Sequence, residues 1–198
     1  MSAPDPALNE PRKPRSGDPM KTALLIIDVQ HGLCTGEEAA FDVENVIARI
    51  NEVAAKARAA GAPVILIQHE EDSGLFRFDT RGWQLADGLA ILPGDLRVRK
   101  TTCDSFHQTD LHPILNERAI TNLVICGLQS EFCVDATVRR ALALGYPVVL
   151  VADGHSTMDN AVLSAAQITA HHNTTLSHMT SFGPRVVAAS ASEVRIEV

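Results

Sequence analysis

Val124-Ile-Cys-Gly-Leu-Gln-Ser-Glu-Phe-Cys-Val-Asp-Ala-Thr137 is the stretch that decides the fold. It passes from an apolar run, through a glycine, into a segment with helical spacing from Val134 to Leu144. Cys133 stands at this junction, where backbone N–H groups lack helical partners and the helix dipole is positive. Both features favour a thiolate over a thiol. The stretch therefore predicts a strand-to-helix junction that carries a nucleophile.

Apolar runs and helical segments alternate along the rest of the chain. Continuous apolar runs are typical of parallel strands that are covered on both faces. The pattern predicts an α/β, three-layer, doubly wound (Rossmann-like) fold with a mainly parallel six-stranded sheet. Residues 69–94 interrupt the pattern and predict a long functional loop, in which one short helix is an open alternative. The predicted strands are 23–28, 63–68, 96–100, 122–125, 147–151 and 186–189, and the predicted helices are 42–60, 111–117, 134–144 and 159–172.

Length and composition limit the domain organisation and the partners. At 198 residues the chain predicts a single domain over residues 21–198. Residues 1–20 contain five prolines and predict a flexible, Pro-rich N-terminal arm. The net charge of −7 argues against nucleic acid or an anionic membrane surface as a partner. The apolar runs are too short to span a membrane.

Cysteine usage indicates the compartment. The four cysteines form no Cys-x-x-Cys pair, and no apolar secretory signal begins the chain. Free thiols in a reducing environment are the expected state, so we predict a cytoplasmic protein. Cys34, Cys103 and Cys126 are interpreted as small buried hydrophobic residues.

Charged residues follow two other predicted strands. In a doubly wound sheet the active site lies at the carboxyl ends of the strands, where Asp28, Lys100 and the loop before Cys133 are all predicted to lie. A thiol needs a base, which a carboxylate provides, and an ammonium stabilises both negative forms. Each residue also has an ordinary interpretation: Asp28 as a cap, and Lys100 as a solvated strand end. The combination favours a Cys-Asp-Lys hydrolase.

Several motifs together resemble the isochorismatase-like cysteine hydrolase superfamily, which includes nicotinamidases and N-carbamoylsarcosine amidohydrolase. The resemblance covers roughly residues 21 to 190. It rests on Leu25-Ile-Ile-Asp-Val-Gln30, Val98-Arg-Lys100 with Ser105-Phe106, Gly127-Leu-Gln-Ser-Glu-Phe-Cys-Val134 with Thr137, Ala143-Leu-Gly-Tyr-Pro-Val148, and Val151-Ala-Asp-Gly-His-Ser156.

The resemblance implies roles for particular residues. It places the catalytic Asp, Lys and Cys on Asp28, Lys100 and Cys133. It implies a cis peptide between Leu128 and Gln129, and an oxyanion site formed by the backbone N–H groups of Gln129 and Cys133. Five side chains are predicted to contact the substrate, with core packing or a structural role as the alternative for each aromatic residue and for the histidine: Gln30, His69, Trp83, Phe106 and Phe132.

Metal binding is not predicted. Nicotinamidases of this superfamily hold a metal with an Asp-x-His arrangement after the second strand, whereas this chain has His69-Glu-Glu-Asp-Ser-Gly74 there. The departure argues against a metal and against nicotinamide as substrate, so no cofactor is expected. A site built from His69 and Asp72 is the minor alternative, and a solvated acidic loop is the ordinary one.

The predicted function is a metal-independent cysteine hydrolase acting on a small carboxamide or related C–N bond, through a thioester. One alternative is isochorismatase-type hydrolysis of a vinyl ether, which does not need the thiol. A catalytically silent binding protein of the same fold is the other. The resemblance also implies a homodimer or homotetramer, and the substrate is expected to be a small amide.

Overall fold

A computed structural model describes residues 20–198. The arm predicted for residues 1–20 lies outside this range, apart from Met20, and stays a prediction. A single turn of π-helix, Ser130–Val134, precedes the fourth α-helix. The elements in chain order are β1 (Thr22–Ile27), α1 (His31–Cys34), α2 (Val43–Ala60), β2 (Val64–His69), β3 (Leu96–Lys100), α3 (Leu111–Glu117), β4 (Asn122–Leu128), α4 (Asp135–Ala143), β5 (Val148–Ser156), α5 (Ala165–Ser177) and β6 (Val186–Ala189).

The six strands form one parallel sheet in the order β3-β2-β1-β4-β5-β6. This confirms the predicted fold class, and every strand pair is parallel. Leu25 of β1 lies beside Ile65 of β2 on one side and Ile125 of β4 on the other. The chain reverses its direction of travel across the sheet between β1 and β4. In such sheets this switch point is where a ligand crevice forms, at the carboxyl ends of the strands.

Alternating side chains of β1 fill two separate cores. Leu24 and Ile26 pack with the buried face of α2, while Leu25 and Ile27 pack with α3, α4 and α5 on the opposite side. All six residues of β1 are buried, because helices cover both faces of the sheet. The three-layer arrangement predicted from the apolar runs is therefore present.

Two strands continue three or more residues beyond their predicted ends, and β2 continues by one residue, to His69. β4 reaches Leu128 and β5 reaches Ser156, whereas apolar runs predicted ends at residues 125 and 151. The residues that extend β5 include Asp153, Gly154 and His155, whose polar or small side chains carry no strand signal. Helix α5 begins later than predicted, at Ala165, because Ser164 and Gln167 form a capping box there.

Residues 70–95 connect β2 to β3, and the described chain forms no helix there. Gln30 pairs with Leu85 through an isolated antiparallel bridge, which ties this loop to the end of β1. The predicted long loop is thus confirmed, without the short helix that was the open alternative. No helix within residues 20–198 has the length and apolar character needed to cross a bilayer.

Candidate active site

The structure brings the three predicted catalytic residues together at the switch point. Asp28 follows β1, Lys100 ends β3, and Cys133 lies in the π-helical turn after β4. The Lys100 ammonium donates to Asp28 Oδ2 at 2.6 Å and to Cys133 Sγ at 3.2 Å. The side chains of Lys100 and Asp28 are 0% and 1% exposed, so this ion pair is withdrawn from water.

Backbone contacts fix the ion pair. The Lys100 ammonium also donates to the Thr102 carbonyl at 3.1 Å. Asp28 has a positive φ of 49°, and its N–H donates to the Ile67 carbonyl at 2.9 Å. Its Oδ1 is buried and has no hydrogen-bond partner within residues 20–198. One carboxylate oxygen thus binds the ammonium, and the other stays available to a proton.

Electrostatics differ between the lysine and the cysteine. Burial would lower the pKa of Lys100, but the neighbouring Asp28 and Cys133 outweigh it and raise that pKa, so the ammonium persists. Burial, together with the Asp28 carboxylate, raises the pKa of Cys133 despite the opposing effect of Lys100. The raised pKa favours the protonated thiol over the thiolate that the junction position alone favours, in agreement with the expected need for a base. A base must remove its proton before it can attack.

Cys133 lies in a turn that the sequence pattern did not reveal. The α-helix predicted from Val134 is present from Asp135, and the residues before it, Ser130–Val134, form a π-helical turn. The Gln129 carbonyl accepts from the N–H groups of Phe132 and Val134, both at 3.2 Å. The Leu128–Gln129 peptide bond is cis, as the resemblance implies.

Gly127 permits the close approach of β1 and β4 beside this turn. Its φ is +120°, and a Cβ atom there would lie 2.0 Å from the Ile27 carbonyl oxygen. A side chain is incompatible with this distance, so glycine is required where the nucleophile loop leaves β4.

A hydroxyl pair joins the loop after Lys100 to α4. The Ser105 and Thr137 hydroxyls lie 2.8 Å apart, and the Ser105 N–H donates to Thr137 Oγ1 at 3.2 Å. Thr137 also donates to the Cys103 carbonyl at 3.4 Å. Sequence reasoning assigned no role to this contact, which holds the loop after the lysine against the helix that follows the cysteine.

Gln30 is fully buried, and its side-chain amide is occupied within the protein. Its Nε2 donates to the carbonyls of His69 (3.0 Å) and Trp83 (2.8 Å), and its Oε1 accepts from the His69 N–H at 2.8 Å. These bonds use both N–H groups of the amide. We therefore assign Gln30 to positioning the long loop, in place of the predicted substrate contact.

His69 and Trp83 lie in different surroundings. His69 Nδ1 is 3.5 Å from the Lys100 ammonium, and its ring is edge-on to Phe76. Trp83 packs on Phe78, with ring centroids 4.9 Å apart. Trp83 lines a cavity of about 720 Å³ along β3, which Lys100 also lines but Asp28 and Cys133 do not. His69 thus lies beside the Lys100 ammonium, and Trp83 shares a cavity with Lys100 alone of the three predicted catalytic residues.

The two phenylalanines that were predicted to contact the substrate differ in burial. Phe106 is 7% exposed and stacks on Tyr146, with ring centroids 6.2 Å apart, so it belongs to the core, as its alternative interpretation held. Phe132 is 52% exposed and adjoins Cys133. Phe132 alone of this pair remains positioned to contact a substrate.

The other thiols lie outside this cluster. Cys34 and Cys126 are buried, as predicted, and burial raises the pKa of Cys34 to about 12. Cys103 is exposed, contrary to prediction, because it lies in the loop after β3.

The donor set does not fit a metal ion. No group of three or more His, Cys, Asp or Glu side chains is arranged for one in the described chain. One ring nitrogen of His69 faces the Lys100 ammonium, whose charge would repel a cation, and Asp72 is exposed. We derive no catalytic step through a metal.

Comparisons with known proteins agree with this geometry. The model of the isochorismatase domain matches residues 22–189. A streptothricin hydrolase of Streptomyces noursei is 40% identical over 138 residues, which is 69% of this chain and 55% of that protein. The chain thus spans about half the length of the streptothricin hydrolases it resembles.

Two further relatives are matched over more of their length. A ureidoacrylate amidohydrolase of Pseudomonas syringae pv. syringae (strain B728a) is 32% identical over 185 residues, covering 75% of this chain and 74% of that protein. The crystal structure of an isochorismatase family protein superposes with a TM-score of 0.78 at 38% identity, covering 85% of this chain and 98% of that one. Sequence, fold and the juxtaposed Asp28, Lys100 and Cys133 agree, and the chain belongs to the isochorismatase family.

Proposed function

We propose that the protein is a metal-independent cysteine hydrolase that cleaves a small carboxamide or related C–N bond through a thioester. The observation that carries the proposal is the Lys100 ammonium, which bridges the Asp28 carboxylate and the Cys133 thiol. Relatives named streptothricin hydrolase and ureidoacrylate amidohydrolase support the reaction class.

The first half of the reaction forms the acyl-enzyme. Because the resting sulfur is protonated, Asp28 takes the thiol proton as Cys133 attacks the carbonyl carbon. The carbonyl π electrons move to oxygen, and the backbone N–H groups of Gln129 and Cys133 stabilise that oxyanion. Donors placed for a developing charge commonly contribute a large catalytic term.

The second half releases the amine and restores the enzyme. Asp28 gives the proton to the leaving nitrogen, the C–N bond breaks, and ammonia or a small amine departs. Water then attacks the thioester, with Asp28 again as base, and the C–S bond breaks to give the acid and the thiol. Lys100 stays charged throughout, so its ammonium stabilises the Asp28 carboxylate and the Cys133 thiolate.

Ammonia or amine release from a panel of small amides, ureas and carbamoyl compounds tests the proposal. Cys133→Ala should abolish release, and Cys133→Ser should do so with the fold intact. Cys103→Ala is the matched control, since it removes an exposed thiol outside the cluster and should act like wild type. Amine release by Cys133→Ala would exclude the covalent mechanism, whereas no release from any compound together with an unreactive Cys133 would favour vinyl-ether hydrolysis or a catalytically silent protein.

A chelator tests the metal-independent part. Dialysis against EDTA should leave amide turnover unchanged, because the donor set around His69 does not fit a cation. Loss of activity that zinc restores would contradict this part of the proposal. A cytoplasmic location and a homodimer or homotetramer remain predictions, and sedimentation velocity tests the oligomer.

A further inference from the structure

An irregularity in β5 brings a polar segment beside the nucleophile loop. Ile125 pairs with Leu150, but Gly127 pairs with His155, so two steps along β4 correspond to five along β5. Gly154 lies within this bulge, where a Cβ atom would come 2.6 Å from Val151 Cγ1. The bulge therefore places His155 directly opposite the glycine at which the nucleophile loop begins.

A chain of hydrogen bonds leads from α5 to the π-helical turn. Asn173 Nδ2 donates to the Ala152 carbonyl at 2.9 Å, which orients its Oδ1 toward His155 Nε2 at 3.0 Å. Because that oxygen only accepts, Nε2 carries the ring proton. His155 Nδ1 must then accept from the Ser130 hydroxyl, which lies 2.8 Å away. The donors and acceptors of these hydrogen bonds are therefore fixed, and the last bond is to Ser130, the first residue of the π-helical turn.

The surroundings keep His155 in this state. His155 is 2% exposed and Ser130 is fully buried. Burial lowers the pKa of His155 to about 4, so the imidazole is neutral near pH 7. A second contact lies beside the first, since Oγ1 of Thr157, the residue after β5, donates to Glu131 Oε1 at 2.9 Å. Two successive residues of the turn are therefore attached to the end of β5.

We infer that His155 is a positioning residue, which fixes the π-helical turn through Ser130 and so aims the backbone N–H groups of Gln129 and Cys133. The inference rests on the proposed function. A misplacement of about 1 Å in reacting groups can cost about 100-fold in rate. Within residues 20–198 the ring nitrogens of His155 bond to Ser130 and Asn173, and not to the thiol or its two charged neighbours, so we assign its effect on the reaction to the turn.

Variants at both ends of the contact test the inference. Ser130→Ala and His155→Leu should each lower kcat by about 10–100-fold, with KM changed by less than about threefold. His155→Asn should recover most of the loss, because its Oδ1 can accept from Ser130 as Nδ1 does. His171→Ala, an exposed histidine on α5, is the matched control and should leave kcat unchanged.

Two further measurements separate positioning from general damage. The rate of Cys133 alkylation by iodoacetamide should stay within about threefold of wild type, since alkylation uses no oxyanion donors. Amide hydrogen exchange of residues 129–134 should accelerate in Ser130→Ala and His155→Leu. Wild-type kcat and wild-type exchange in Ser130→Ala would overturn the inference.

The same exchange data distinguish failure of the inference from failure of the proposed function. If wild-type protein releases no amine from any compound, the proposed function has failed, and the exchange of residues 129–134 decides the positioning role alone. Faster exchange in both variants would sustain the role of His155 in fixing the turn. Exchange of residues 129–134 at the wild-type rate in both variants would exclude a role of His155 in fixing the turn.

Discussion

Lys100 Nζ and Asp28 Oδ2 lie 2.6 Å apart in a fully buried ion pair that links an edge strand, β3, to the end of β1. The ammonium reaches past β2, whose last residue, His69, pairs with Lys100 in the sheet. The pair therefore joins the strands at this edge of the sheet, besides the catalytic role proposed for it.

Removing one member of this pair should destabilise the fold strongly. Lys100→Met leaves the Asp28 carboxylate buried without a counter-charge, so we expect a loss of about 3–5 kcal/mol in the free energy of unfolding. Asp28→Asn should act in the same direction. The double variant should regain most of the stability, because neither charge remains, and should stay inactive.

Urea unfolding with turnover assays checks this prediction. Arg81→Met, which breaks an exposed ion pair with Asp87, is the control and should cost less than about 1 kcal/mol. A Lys100→Met variant as stable as Arg81→Met would show that the buried pair contributes little.

The pH dependence of alkylation should separate thiolate formation from turnover. Burial and the Asp28 carboxylate both raise the pKa of Cys133. In Asp28→Asn the negative neighbour is gone and Lys100 remains, so the alkylation profile should move to lower pH. Amide turnover should nevertheless fall, because the base is lost. An unshifted alkylation profile would mean that Asp28 does not act on the thiol.

Acid should weaken the fold through His155. Its pKa is about 4 when folded and about 6.5 when exposed, so the unfolded chain binds more protons between these values. The contribution is present above pH 6.5 and is lost as pH falls through 4, by about 2 kcal/mol between pH 7 and pH 5. Urea unfolding at both pH values should show a smaller drop for His155→Asn than for wild type. Equal drops would contradict the assignment.

Two glycines with positive φ should respond differently to alanine. Gly127→Ala places Cβ against the Ile27 carbonyl, so β1 and β4 cannot keep their pairing, and we expect little folded protein. Gly61→Ala, at the end of α2, meets no atom within 4 Å and should cost only the left-handed backbone penalty of about 1–2 kcal/mol. Thermal melts of both variants measure the contrast. Similar melting temperatures would show that β1 and β4 can adjust.

Sequence periodicity predicted those parts of the molecule that depend on repeated burial. β3 and β6 have their predicted bounds, and Asp28, Lys100 and Cys133 meet because parallel strands end at one edge. The π-helical turn and the extension of β5 through His155 depend on individual contacts between distant residues, which no local pattern encodes.

The predicted pocket residues show the same limit. The sequence around Gln30 and around Phe106 does not indicate in which direction either side chain points. In the structure the Gln30 side chain points inward and donates to backbone carbonyls, and the Phe106 ring points inward and stacks on Tyr146. Only the three-dimensional arrangement separates them from Phe132, which points outward.

The position of Lys100 on β3 determines how local unfolding affects the site. Within residues 20–198, β3 pairs only with β2, whereas β1 and β4 have neighbours on both sides. Edge strands open at lower free energy than central ones. Fraying of this one strand would carry the ammonium away while the carboxylate and the thiol stay in place. Mild denaturant should therefore abolish the proposed amide turnover before the rest of the sheet unfolds.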